Sequence, residues 1–326
     1  MSPLEERYRR LLAWLPEPAR SRWADEMTET FLEATTDDDP EYAEFGSPSL
    51  ADRLDVARLA LRLRLGAPGS SVRAVAAGRT VRLVAAIGTV SLAVHALISL
   101  ALTAWTHDVL PFLTAPDLPG AVSWGPGQAI GVVLDGLVIA LAVCLVRGSG
   151  AARALAPVAL ALYVLPMAQP HPPPALQALA LVPLAVVLGA AALVPPEPLR
   201  PRPWWLLAIP ALTLVAATPA TVPGEVNGWL AALADPLVHG ALGLAGALAV
   251  LAVRRRAARG PAELAVAVLA AALALGLVSR WPWDVAGGYH SAVVAATLTA
   301  AGTAAVAGIV GQRAVRALPV TVAVDS

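Results

Sequence analysis

From Arg82 onward the chain alternates long apolar runs with short polar breaks, and eight of those runs approach or reach membrane-spanning length. They cover residues 82–105, 129–146, 153–168, 175–195, 204–222, 236–253, 264–282 and 292–312. About 20 apolar residues cross a hydrocarbon core roughly 30 Å thick. In lipid every backbone polar group must be satisfied within its own segment, which leaves the helix as the economical form for such runs. The pattern therefore predicts an all-α fold: a polytopic bundle of about eight transmembrane helices. The third run is the shortest and also fits a re-entrant segment.

Ahead of the first run the pattern changes to amphipathic. Leu4, Tyr8, Leu11, Leu12 and Leu15 recur at helical spacing until Pro16 and Pro18 end the segment. A second helix is expected over about 19–34, with Trp23, Met27 and Phe31 at steps of four. An acidic, turn-rich stretch at 35–46 separates it from a third helix. That helix is capped by Ser47 or by Ser49 with Asp52, and stopped by Gly66. Its expected buried face is Leu50, Leu54, Ala57, Leu61 and Leu65. The organisation that results is a cytosolic helical module at 1–66, a juxtamembrane linker at 67–81, the membrane domain at 82–313 and a cytosolic tail at 314–326.

Composition supports this division. The hydrophobic fraction of 57% exceeds, and the charged fraction of 14% falls below, the usual values for soluble domains. All 23 cationic side chains are arginine. About half of them, and more than half of the carboxylates, lie in the first 80 residues. No secretory signal opens the chain, because Glu5, Glu6, Arg7, Arg9 and Arg10 interrupt the first helix. Arginine also orients the spans. Alternate loops carry Arg147 and Arg153, Arg200 and Arg202, Arg254–Arg256 with Arg259, and Arg313 with Arg316. The intervening loops hold none; Arg280, at the end of a span, is the exception. Cytoplasmic loops are the arginine-rich ones in membrane proteins, so both termini are expected in the cytoplasm of a multi-pass cell-membrane protein.

Candidate chemistry is sparse. The single cysteine, Cys144, has no intrachain disulfide partner. Gly-x-Ser-x-Gly and phosphate-loop motifs are absent from the sequence, and so are paired intramembrane aspartates. A non-enzymatic role is expected, with no cofactor and no bound metal. Two polar pairs stand out. His95 in the first run and Asp135 in the second fall at comparable depths in successive antiparallel spans, where polar groups are costly to place. Such a pair suits a proton relay, a cation site or a hydrogen-bonded clamp between helices. Gly131 and Gly136 beside it read as close-packing positions. Asp235 and His239, four apart, share a helix face at the outer side. The arginine run at 254–259 is a topology anchor and not a direct nucleic-acid contact.

One resemblance extends this reading. The run Arg7-Tyr8-Arg9-Arg10-Leu11-Leu12-Ala13-Trp14-Leu15-Pro16, then Arg22-Trp23-Ala24-Asp25-Glu26-Met27, resembles the cytosolic prefix of the HAAS-type, or permease-prefix, membrane proteins of actinobacteria. The helix from Leu50 to Gly66 fits the same pattern, and the resemblance covers about the first 66 residues. It implies a regulatory module that contacts a partner, a PadR-like transcriptional regulator or a permease; Trp23 and Met27, on the apolar stripe of the second helix, are the candidate contacting residues. Besides the lipid bilayer, that partner is the one the chain is expected to have. Regulation or signalling is the leading expectation. Its rivals are a transporter or permease component for a small solute or ion, and a membrane scaffold or assembly subunit.

Overall fold

Ten α-helices make up the secondary structure among the residues that the computed structural model describes, which are 2–36, 45–107, 126–164, 174–195, 236–253, 260–279 and 287–318. They are α1 (Pro3–Leu12), α2 (Glu17–Thr36), α3 (Leu50–Arg64), α4 (Val72–Thr106), α5 (Pro126–Arg147), α6 (Ala151–Val164), α7 (Pro174–Leu193), α8 (Pro236–Val253), α9 (Gly260–Val278) and α10 (Gly287–Arg316). Four of them, α4, α5, α9 and α10, are long and apolar enough to cross a membrane, which fits a multi-pass membrane protein. Helices α6, α7 and α8 are apolar but shorter as membrane segments. The apolar run at 204–222 lies outside the described residues. The chain divides into two compact units: Met1–Thr80 with Arg313–Ser326, and Val81–Gln312.

In the first unit, local chemistry sets the helix ends. Ser2 caps α1 by accepting from the Glu5 amide, and Pro3 starts the helix where an amide proton would have no partner. Glu5 pairs with Arg9 at 3.1 Å and Glu6 with Arg10 at 2.8 Å, each acid nearer the N-terminus, the order that suits the helix dipole. Ser49 and Asp52 form a reciprocal capping box at the start of α3. Gly66, at φ +85°, ends it in the left-handed conformation glycine adopts without strain. A core of Tyr8, Leu11, Leu12, Leu15, Ala19, Val56, Ala60 and Leu63 joins the three helices. Tyr8 stacks on Phe31 with ring centroids 4.0 Å apart.

One expectation is corrected here. The buried face of α3 is Val56, Ala60 and Leu63, while Leu50, Leu54 and Leu61 are 73, 47 and 41% exposed. The helix carries two overlapping apolar rows at helical spacing, and periodicity cannot choose between them. The row that includes the small Ala60 is the one packed in the core. Within the expected linker at 67–81 the turn after α3 is non-helical and α4 begins at Val72. That turn is tight: a Cβ on Gly66 would sit 2.7 Å from the Val75 Cα, and one on Gly78 would overlap the Leu65 carbonyl. Ser70 donates to the Leu63 carbonyl at 2.8 Å and closes the corner.

Burial, and secondarily Asp52, holds the Tyr8 phenol above its ordinary range. A phenol is charged when deprotonated, so its contribution to stability is full below about pH 10 and is lost as pH rises through the folded value. The difference in alkaline absorbance titration between wild type and Tyr8→Phe isolates this group. We expect ionisation above the ordinary phenol range; an ordinary midpoint would mean that the ring is open to water.

The second unit is packed through small side chains. Helix α7 lies against α6 and α9, α5 against α6, and α8 against α9. Ala152, Ala156 and Ala159 of α6, Ala190 and Ala191 of α7, Ala265 and Ala270 of α9 and Ala307 of α10 are all buried in one core. Small residues let helix backbones approach when lipid removes the hydrophobic incentive to associate. Gly311 marks one such approach, since a Cβ there would be 2.9 Å from the Leu264 amide nitrogen. Arg153 donates to the Val194 carbonyl at 3.0 Å, satisfying an otherwise orphan group past the end of α7.

Candidate ligand cavity

Within the second unit, α4 meets α5 through Ala93 and Ala96 against Val138 and Ala142. The resulting close approach puts His95 and Asp135 on the wall of one cavity of about 460 Å³. Helices α4 to α9 all contribute to that wall. Among the described residues its polar side chains are Ser91, His95, Asp135 and Tyr163; glycine, alanine, proline, leucine, isoleucine and valine make up the rest. Ser99 hydrogen-bonds the Asp135 side chain, and His95 lies near enough to act on it electrostatically. Tyr163, on α6, in turn feels the Asp135 charge. A carboxylate, an imidazole, a phenol and one hydroxyl thus share the wall of a mainly apolar chamber, with the Ser99 hydroxyl bonded to the carboxylate. Its volume is within the roughly 300–1,000 Å³ of small-molecule pockets.

Sequence reasoning named His95 and Asp135 but missed their companions. Ser91, His95 and Ser99 are spaced four apart on α4, one polar row on an apolar helix, and that spacing was a usable signal. Tyr163 had none, being one aromatic residue in an apolar run. Glu263 was also overlooked: it is 3% exposed in the first turn of α9, where the positive end of the helix dipole favours a carboxylate. The expectation that Gly131 and Gly136 pack closely is corrected, because a Cβ at either would meet no described atom within 4 Å. Both belong to α5, whose contacts run through Val138, Leu141 and Leu145 instead.

The other candidate residues are placed differently. Asp235 lies outside the described residues, and of His239 the structure describes only its place on α8. Trp23 and Met27 are half-buried against the core of the first unit. The Gly69 Cα, at φ +82°, sits over the Trp23 ring so closely that a Cβ there would be 3.1 Å from it. Among the described residues of this unit, the large apolar side chains most exposed are Phe45, at 80%, and Leu50. Among the described residues no group of three or more histidine, cysteine, aspartate or glutamate side chains is arranged to hold a metal ion.

No family model matches this chain, and neither a curated protein nor a solved structure matches it.

Proposed function

We propose that this chain is a non-enzymatic regulatory protein of the cell membrane, whose membrane unit binds a small solute and whose N-terminal helical module contacts a cytosolic partner. The observation that carries the reading is the cavity: polar groups from three helices converge in it, although polar side chains are expensive in such a bundle. We read the apolar runs as eight spans with both termini in the cytoplasm, on the strength of the arginine distribution. The partner class, a PadR-like regulator or a permease, rests on the resemblance of residues 7–27 and 50–66 to permease-prefix modules.

Transport is the second reading, and one observation favours it. Pro183 lies inside α7 at the cavity wall, where it removes one helical hydrogen bond, and helices weakened or broken at substrate sites are a feature of transporters. The two readings part on the role of the front end. If the protein regulates, removing residues 1–66 abolishes its effect on the transcription of neighbouring genes while the remaining chain still inserts. Proteoliposomes of the full chain then bind solute without accumulating it. A chain starting at Arg73 that retains every cellular effect overturns the regulatory reading. Solute accumulation by that shortened chain would establish transport.

A further inference from the structure

We infer that the cavity's ligand is a small amphipathic organic cation, with its ammonium group at Asp135 and its apolar body against α7 and α9. The inference rests on the cavity being a binding site and adds the chemical class of what binds. Among the described residues the wall carries one carboxylate and no arginine. An anion would have to approach Asp135 with no guanidinium to receive it and only the His95 imidazole, which already acts on that carboxylate. A neutral apolar molecule would cover Asp135 and leave the carboxylate facing an apolar surface, which is the costly arrangement for a charge removed from water. A cation removes that cost.

The remaining polar groups fit a cationic head. Ser99 already donates to Asp135 and holds it in place from α4. Tyr163, near enough to feel the Asp135 charge, adds an aromatic ring to the wall, and ammonium groups are attracted to such rings. A bare metal ion is a poor fit: Asp135 and His95 are two ligands where a protein cage uses four or more, and the chamber is far larger than an ion. The side chains that α7 and α9 give the wall, including Leu184, Val187, Leu269 and Leu273, offer only hydrocarbon. They match an aromatic or branched aliphatic body. Head and tail of the ligand are thus selected by different helices.

The test uses the full chain in nanodiscs and three matched probes: phenylethylammonium, 2-phenylethanol and phenylacetate. We expect saturable binding of the ammonium, at least tenfold weaker binding of the alcohol and none of the anion. Asp135→Asn should weaken the ammonium at least tenfold and the alcohol far less. Size-exclusion recovery after heating checks that the variant is folded, and Asp135→Glu should recover part of the loss. Ala180→Phe, which places a ring in the chamber, should reduce both probes. If the alcohol and the ammonium bind equally and Asp135→Asn alters neither, the cation assignment falls while the cavity reading stands, provided Ala180→Phe still blocks them. Preference for the anion overturns the assignment as well. If no probe binds, or if Ala180→Phe has no effect on any, the cavity reading fails together with the inference.

Discussion

Gly78→Ala should loosen the corner between α3 and α4 enough to raise tryptic cleavage at Arg62 and Arg64 about thirtyfold. In an ordinary helix interior the same change is favourable by about 1 kcal/mol, because alanine restricts the unfolded chain and glycine does not. Here the sign reverses. A Cβ on Gly78 would overlap the carbonyl oxygen and carbon of Leu65, which belong to the backbone and cannot turn aside. Relieving an overlap of that kind costs about 1–3 kcal/mol. A net loss of about 2 kcal/mol increases the open population roughly thirtyfold. Limited proteolysis of the intact protein in detergent reads this directly. Unchanged cleavage would show that α3 and α4 have room to separate without loss.

Gly311→Val should lower the thermal stability of the second unit by about 3 kcal/mol, the upper range for forcing bulk into a packed contact. The added Cβ would be 2.8 Å from the Leu264 Cγ, 2.9 Å from its amide nitrogen and 3.1 Å from the Gly260 carbonyl oxygen. Two of those three atoms are backbone at the start of α9, so α9 and α10 must move apart. Three residues earlier, Gly308→Ala is the control, since its Cβ would meet Ala267 at an ordinary 3.8 Å. Size-exclusion recovery after heating in detergent measures both. The two positions losing equally would remove the argument from close approach. Because α9 also supplies Ala272 and Leu273 to the cavity wall, the Gly311 variant should bind the ammonium probe more weakly.

The sequence shows some of this and conceals some for identifiable reasons. Gly66 and the Ser49–Asp52 box are local devices, and each acts at its expected position. His95 and Asp135 stood out because charge is rare in apolar runs, whatever the packing. The buried face of α3 was not legible. Its two leucine-rich rows are equivalent by spacing, and the choice between them belongs to α1 and α2. The remaining cavity residues were hidden for the opposite reason: Ser91 and Ser99 are mild enough to pass in a membrane helix, and only their shared face with His95 gives them meaning. Gly131 and Gly136 show the limit of composition, since a glycine between apolar neighbours reads the same whether a helix lies against it or not.

The outward leucines of α3 bear on how any partner is sought. Leu50, Leu54 and Leu61 form one row along a helix that also carries Arg53, Arg58, Arg62 and Arg64. Cut free as a soluble fragment, residues 1–66 would present that row to water on a body too small to dilute it. Contiguous apolar patches of this kind adhere to one another and to unrelated proteins. A column charged with the fragment would retain much of a lysate, and retention alone would say nothing about recognition. Bait made from the whole protein in lipid, compared with a version carrying glutamine at the three leucines, separates a specific partner from mere stickiness.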